Sequence, residues 1–449
     1  MPGPSNAPTR VLGPIDATCV VVGAIIGVGI FFNPQQVAEL TRSAPLSLAA
    51  WAIAGGIALC GSLTFAALGA RYHANGAQYQ VLRDSYGPLP AFLFVFCNAT
   101  AIQAGAVAVI AVLCARNLAA AAGRELPAGL PEVAASGALV LLLMAANIVG
   151  VKWGSRIQNL TVFAKVLTLL VITGLAAWVS RAPAPAAPVA AFAEKPDLHP
   201  VSALLAALVP CLFAYGGWQH ALWISGEVKD PRRNLPRAIV GGVVLVVAVY
   251  LLANWAYLEL LGVERVRTAK TLAADAVATV WPQWGSRMIA AAVGVSAFGV
   301  LNAQLLSGPR LVFGMARDGR FFESFGRLSP RFATPVSAIV LIAGMALVLL
   351  LVTGLTGSQT VELLTTGTVF IDGVFFVLTG AAVFVLRKRA GETLRVRGYP
   401  LTPALFVLGE VGVVVGAHLT PGVLLATLVG VAWIVLAAVL YMIRFRSNP

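Results

Sequence analysis

The chain has 449 residues, 59% of them hydrophobic and only 11% charged, with a mean hydropathy of +0.87. An ordinary soluble domain carries roughly 25% charge, so this composition excludes a soluble globular enzyme, a disordered chain and a disulfide-stapled secreted module. In a soluble protein the net charge of +13 would point to nucleic acid. In a membrane protein it marks Lys/Arg-rich cytoplasmic loops, and no nucleic-acid partner is expected.

At about 20 apolar residues per span, the chain can supply ten to twelve transmembrane helices. In chain order, apolar stretches fall at about 15–40, 45–70, 91–118, 133–151, 155–180, 201–226, 237–261, 286–316, 334–354, 362–386, 402–419 and 422–443. Residues 1–13 are polar and rich in Pro and Gly, with no cleavage pattern after the first stretch, so that stretch is expected to stay as the first span. The five cysteines, Cys19, Cys60, Cys97, Cys114 and Cys211, lie in apolar stretches and suggest no disulfide framework. A Pro-rich connection, 181–200, divides the first five spans from the rest.

Orientation follows from the Lys/Arg bias. With the N-terminus inside, the inner loops collect Lys152, Arg156, Lys229, Arg232, Arg233, Arg237 and Arg310. They also take Arg387, Lys388, Arg389, Arg395 and Arg397. The outer side keeps few, including Arg265, Arg267 and Lys270. Both termini are therefore expected in the cytoplasm, which requires an even number of spans.

Two spans are interrupted by glycine. The first reads GAIIGVGIF, with Gly23, Gly27 and Gly29; the sixth reads FAYGGW, with Gly216 and Gly217. A helical Gly costs about 1 kcal/mol relative to Ala, and irregular backbone at membrane depth survives only where it lines a cavity. Breaks in corresponding positions, five spans apart, suggest a transporter built from two inverted five-helix repeats. Close helix packing through small residues is the alternative.

These residues resemble the amino acid–polyamine–organocation superfamily, and most of all the L-type amino acid transporter family with its bacterial relatives. The likeness covers nearly the whole chain. It rests on GAIIGVGIFFNP (23–34), LRDSYGPLPAFLF (82–94), VKWGSRIQNLTVFAKVL (151–167), FAYGGW and EVKDPRRNLPRAI (213–239). It continues through SAFGVLNAQLLSGPRLVFGMARDGRFF (296–322), PRFATPVSAI (330–339) and RGYPLTPALFVL (397–408). The resemblance implies an all-α membrane protein with the leucine-transporter fold: twelve transmembrane helices, helices 1 and 6 broken, a 5+5 inverted repeat and two further C-terminal helices. The expected divisions are a cytoplasmic tail at 1–14, repeats at 15–180 and 201–386 around an extracellular loop at 181–200, and helices 11–12 with a short tail at 387–449.

Helix N-termini suit a carboxylate, and helix C-termini and unwound carbonyls suit an ammonium. The resemblance assigns a substrate carboxylate to N–H groups at Val28, Gly29 and Ile30. It assigns the amine to carbonyls near Ile25, Ile26, Phe213, Ala214 and Tyr215, with Gly216 in the same break. Many relatives have Ser where Val28 stands. Phe213 is the implied outer gate, against the reading of an ordinary core Phe. Gln219 either bonds across the bundle or packs on a neighbour.

Lys165 stands mid-span, where insertion costs about 2.5–3.5 kcal/mol. Such a residue faces the bundle interior and is functional by default. In the family, a lysine here occupies the place of a sodium ion in sodium-coupled relatives. The expectation is that its ammonium meets first-span carbonyls near Gly23 and Ala24 and reaches Ser296 of the eighth span. Transport independent of sodium follows, with proton coupling through Lys165 as the alternative. Asp372 is a second intramembrane charge, either a substrate or proton site or a satisfied acid near the span's end. Gly373 replaces a Trp common in the family and is expected to enlarge the pocket.

Other polar residues carry weaker signals. Asn98, Gln103 and Asn302 either line the pathway or act as interhelical glue. Glu227 is expected to pair with Arg232 or Arg233 at an inner gate, or to be solvated. Asp16 reads as a helix cap, and Glu39 as an outer-gate group. His73, His199, His220 and His418 lack metal-ligand spacing. With no P-loop and no hydrolytic triad, neither an ATP-driven pump nor an enzyme is expected, and no cofactor or metal.

The expected function is sodium-independent secondary transport of L-amino acids, neutral ones foremost, by alternating access and exchange. The rivals are a proton-coupled amino acid or polyamine carrier and a membrane amino-acid sensor. The expected setting is the cell (inner) membrane, as a monomer or homodimer in the lipid bilayer. Some eukaryotic relatives join a heavy-chain glycoprotein through a cysteine in the outer loop after the third span. That loop, about 119–132, has no Cys here, so no such partner is expected.

Overall fold

The computed structural model describes residues 8–181, 199–356, 358–390, 394–418 and 424–446, with backbone alone over 356–370 and at 390, 417, 418 and 424. Most of the Pro-rich 181–200 connection lies outside the described residues. The helices, in order, are α1 (Pro14–Ile25), α2 (Asn33–Thr41), α3 (Ala44–Arg71), α4 (Ala77–Tyr86), α5 (Pro88–Cys97), α6 (Gln103–Ala121), α7 (Leu130–Val149), α8 (Val151–Val179) and α9 (Pro200–Tyr215). They continue as α10 (His220–Trp223), α11 (Pro231–Thr268), α12 (Leu272–Ala278), α13 (Gly285–Ser307), α14 (Pro309–Arg317), α15 (Val336–Thr356), α16 (Ser358–Ala390), α17 (Leu401–His418) and α18 (Leu424–Arg444).

Among the described residues, each apolar stretch read in the sequence falls mainly on helix. Nine helical segments among the described residues are long and apolar enough to cross a membrane. α1 is too short to count, because a break divides the first stretch into α1, a 3-10 turn (Gly29–Phe31) and α2. α17 is likewise among the shorter apolar helices. The third stretch contains a π-helical turn, Asn98–Ile102, between α5 and α6. α11 leaves helical geometry at Gly262 (φ 72°), where the seventh apolar stretch ends.

Capping explains several helix starts. Pro14 opens α1, and the Gly13 N–H donates to Asp16 Oδ2 at 2.8 Å. The other Asp16 oxygen accepts from Asn159 Nδ2 of α8 at 2.8 Å. Asp16 is thus a cap that also ties two helices. Ser43 Oγ accepts from Leu46 N at the start of α3.

α1 packs between α8, α11 and α13, while α3 packs against α9, α11 and α17. Small residues set these crossings. A methyl on Gly23 would run into Gln158 and Val162 of α8, and one on Gly61 into Trp218 and Phe406. Close backbone approach thus places α1, with its break, at the centre of the bundle.

Candidate functional site at the two helix breaks

The first break begins where α1 ends. Ile26 N donates to Val22 O at 2.7 Å, Gly27 N turns back to Ile25 O at 2.7 Å, and residues 26–28 are non-helical. The chain then restarts as a 3-10 turn, with Phe31 N on Val28 O and Phe32 N on Gly29 O, both at 3.0 Å. The N–H groups of Val28, Gly29 and Ile30 open this turn, so no preceding carbonyl is placed to receive them. Among the described residues they donate to no backbone acceptor. These are the groups expected to hold a carboxylate.

Four carbonyls at the break accept side-chain donors from three neighbouring helices. Lys165 Nζ of α8 donates to Gly23 O at 3.0 Å and to Ile26 O at 2.7 Å. Tyr250 Oη of α11 donates to Ile25 O at 3.1 Å. Ser296 Oγ of α13 donates to Gly27 O at 3.2 Å. Lys165 is buried, 1% exposed. Two charge-assisted bonds contribute roughly 1.5–3 kcal/mol each, enough to offset about 2.5–3.5 kcal/mol for a lysine at a span centre.

Three expectations change in detail. The lysine's second carbonyl is Ile26, not Ala24. Ser296 meets the unwound backbone at Gly27 rather than the ammonium. The Ile25 and Ile26 carbonyls, expected to face the substrate amine, already accept from Tyr250 and Lys165. Tyr250 had no sequence signal beyond being an apolar-span tyrosine. Only the approach of α11 to the break identifies it.

The second break ends α9. Gly216 N donates to Phe213 O at 3.3 Å, and the chain extends through Gly216 and Gly217 before α10. Among the described residues the Ala214 and Tyr215 carbonyls accept no backbone bond across the break. A methyl on Gly217 (φ 129°) would lie 2.7 to 2.9 Å from the backbone of Ala24 and Ile25. The two breaks therefore touch backbone to backbone. Ala214 lies beside Gly29, with a Cβ–Cβ separation of 3.9 Å once Gly29 is given a methyl.

Phe213 is 56% exposed although Cys211, Leu212, Ala214 and Tyr215 are buried. It is not a core residue. Gln219 is buried, and its Oε1 has no partner among the described residues. Trp218 sits among Phe65, Phe376 and Phe406.

Asp372 and Gly373 lie on α16, which packs against α17 and reaches Trp218 through Phe376. A methyl on Gly373 would meet Val414 of α17 at 2.7 Å, so the glycine serves a close α16–α17 contact. Asp372 is half-buried and is an electrostatic neighbour of Glu410 on α17. Among the described residues no hydrogen bond ties Asp372 to either break. Glu410, an acid inside an apolar helix, is legible in the sequence as an intramembrane charge.

Beyond α10 lies a buried ionic knot. Glu227 is held by Arg310 of α14 through Nε and Nη2, at 3.1 and 3.3 Å, with both side chains at most 1% exposed. Asn75 Nδ2 also donates to Glu227 Oε1 at 3.1 Å, and Asn75 Oδ1 accepts from Gly226 N at 3.0 Å. The expected pairing with Arg232 or Arg233 is replaced. Arg232 Nε instead donates to His73 Nε2 at 3.2 Å. The N-terminal segment joins this end, with Leu12 N on Glu227 O and Lys229 N on Leu12 O, each 2.9 Å. At the opposite end, exposed Glu39 accepts a helical-neighbour bond from Gln35, the one hydrogen bond of its side chain among the described residues. Asn302 links Gly154, Gln158 and Asn147, which is interhelical glue. Asn98, in the π-helical turn, and the Gln103 Oε1 beside it are buried with no partner among the described residues.

The amino acid permease family profile matches residues 12–446. The serine/threonine exchanger SteT of Bacillus subtilis (strain 168) is 30% identical over 419 residues, covering 91% of this chain and 90% of its own. The human b(0,+)-type amino acid transporter 1 is 31% identical over 340 residues, covering 73% and 67%. The mouse Asc-type amino acid transporter 1 is 30% identical over 353 residues, covering 76% and 64%. With two broken helices in contact and a match over nearly its whole length, the chain belongs to the amino acid permease family of the amino acid–polyamine–organocation superfamily of transporters.

Proposed function

We propose that this protein is a sodium-independent exchanger of neutral L-amino acids that works by alternating access. The reading takes twelve spans in the leucine-transporter arrangement, two inverted five-helix repeats, and both termini in the cytoplasm of the cell (inner) membrane. One observation carries sodium independence. The Lys165 ammonium already bonds the Gly23 and Ile26 carbonyls, where a coupling cation would otherwise be needed to satisfy the unwound backbone.

The amino-acid substrate is supported by the relatives and by the two breaks. Free N–H groups at Val28, Gly29 and Ile30 suit a carboxylate, and free carbonyls at Ala214 and Tyr215 suit an ammonium. Ile25 and Ile26 keep a bracing role, and Gly216 lets the second break open. Phe213, exposed at the break, would cover a bound substrate, and Gln219 would offer an acceptor within the second break. The scarcity of charge around both breaks favours neutral side chains.

A second reading has its own observation. Asp372 and Glu410 are neighbouring acids inside membrane helices, and such groups serve proton relays. Proteoliposomes separate the two. Exchange predicts labelled neutral amino acid entering only vesicles preloaded with unlabelled amino acid, without sodium. Proton coupling predicts uptake into empty vesicles under a pH gradient, abolished by Asp372→Asn or Glu410→Gln. Binding without uptake in either case would leave the sensor reading.

A further inference from the structure

Away from both breaks, a cavity of about 410 Å3 opens between α3 and α11. Its walls are small and apolar: Ala66, Ala67 and Ala70 on α3, and Val240 and Gly241 on α11. A methyl on Gly241 would meet nothing within 4 Å, whereas one on the next residue, Gly242, would strike Val21. α11 thus packs on the core through one glycine and leaves room outside through the other. Ala70 and Gly241 are exposed, so the cavity opens to the surroundings of the bundle.

Three arginines complete the lining: Arg237 in the second turn of α11, and Arg395 and Arg397 in the segment before α17. In that segment Leu394 and Val396 are buried while Arg395 and Arg397 are exposed. This alternation sets both guanidiniums on one face. The segment is further pinned where Arg387 lies 3.9 Å over the Tyr399 ring. No carboxylate pairs with Arg237, Arg395 or Arg397 among the described residues.

The cavity stands at the arginine-rich ends of two spans. Its α3 wall rises from the last residue, Arg71, by roughly 10 Å at 1.5 Å per residue. That depth runs from the headgroup level to the upper acyl chains. A small soluble anion would meet the arginines and leave the apolar walls unfilled. A phospholipid fills both halves.

We propose that this cavity binds one anionic phospholipid, its phosphate among Arg237, Arg395 and Arg397 and an acyl chain along α3 and α11. Basic pockets between membrane helices recognise such headgroups. α11 also carries Tyr250, which braces the first break at Ile25, so the lipid would rest on a helix that shapes the transport site.

The test titrates phosphatidylglycerol onto the full chain in phosphatidylcholine nanodiscs, with bound lipid counted by native mass spectrometry. Each Arg→Gln change is expected to weaken binding about fivefold, and Arg395→Gln with Arg397→Gln together by more than about twentyfold. Gly241→Leu keeps every charge, fills the cavity and is expected to lower binding as well. Should the Gln pair fail to give a monodisperse protein, Arg395→Lys with Arg397→Lys and Gly241→Leu carry the test, with binding kept in the first and lost in the second. Unchanged phosphatidylglycerol binding in the variants overturns the proposal. So does competition by glycerol 3-phosphate at concentrations equal to the lipid, which would mark a free-anion site.

Discussion

Gly217 lies so close beneath Ala24 that a methyl group on it would stand 2.8 Å from the Ala24 carbonyl oxygen and 2.7 Å from its carbonyl carbon. The contact joins the two helix breaks directly, and the φ of 129° at Gly217 is itself one that side chains resist. Gly217→Ala is therefore expected to push the breaks apart. Strain of about 1–3 kcal/mol predicts roughly tenfold or greater loss of uptake. Monodispersity on size exclusion checks that the bundle still forms.

Lys165 is braced from behind. A methyl on Gly299 would lie 3.0 Å from Lys165 Cε and 2.5 Å from Thr161 Oγ1. Lys165→Ala leaves the Gly23 and Ile26 carbonyls without their donor. Uptake is expected to fall about tenfold or more, the equivalent of one charge-assisted bond. Lys165→Arg is not expected to rescue, because Gly299 leaves no width for a guanidinium. Gly299→Val should reproduce the defect with the lysine in place. Normal uptake by Gly299→Val would remove the argument that the position of the ammonium matters.

The Glu227–Arg310 pair is buried at the end where the N-terminal segment is clamped. Removing one partner strands a buried charge, at a cost of about 3–5 kcal/mol, whereas replacing both with apolar residues is far milder. Arg310→Met is expected to lower the melting temperature more than Arg310→Met combined with Glu227→Leu. A double-mutant cycle on thermal unfolding checks this. Additive effects would show that the two groups do not act as a pair.

Tyr79 of α4, outside the membrane spans, donates to Asp318 Oδ2 at 2.7 Å, and Arg83 Nη1 donates to Asp318 Oδ1 at 2.6 Å. Burial first, then the bond to Asp318, holds the Tyr79 phenol well above its ordinary value of 10.0. A raised phenol favours the fold fully below the unfolded value, and that contribution fades only as pH rises beyond 10. Tyr79→Phe should therefore cost roughly 1.5–3 kcal/mol for a bond to a charged group, equally at pH 6 and pH 9. A cost that changes across that window would contradict the assignment.

The positions of the apolar stretches, the two glycine breaks and the lysine mid-span were all legible in the sequence. Each is a local property: hydrophobic length, the absence of a Cβ, or a charge where lipid would be. Membrane insertion acts on such local properties, so reading them required no partner residues. The first break was visible as Gly27 and Gly29, and Lys165 stood out because a lone ammonium in an apolar span needs a buried acceptor.

What those groups touch was decided by the tertiary structure. Glu227 finds Arg310 rather than its sequence neighbours Arg232 and Arg233, because the turn after α10 faces α14 inside the bundle while the start of α11 points outward. Ser296 caps Gly27, and Tyr250 takes Ile25, because three helices converge on one unwound turn whose carbonyls each need a donor. Gly373 serves the α16–α17 contact, since a residue's face depends on how its helix is rotated. Composition and spacing determine that this chain crosses a membrane and breaks two helices there. Only the packing of distant helices determines which side chains complete the broken backbone, because those partners lie up to 269 residues apart in sequence and meet through close contacts between small residues.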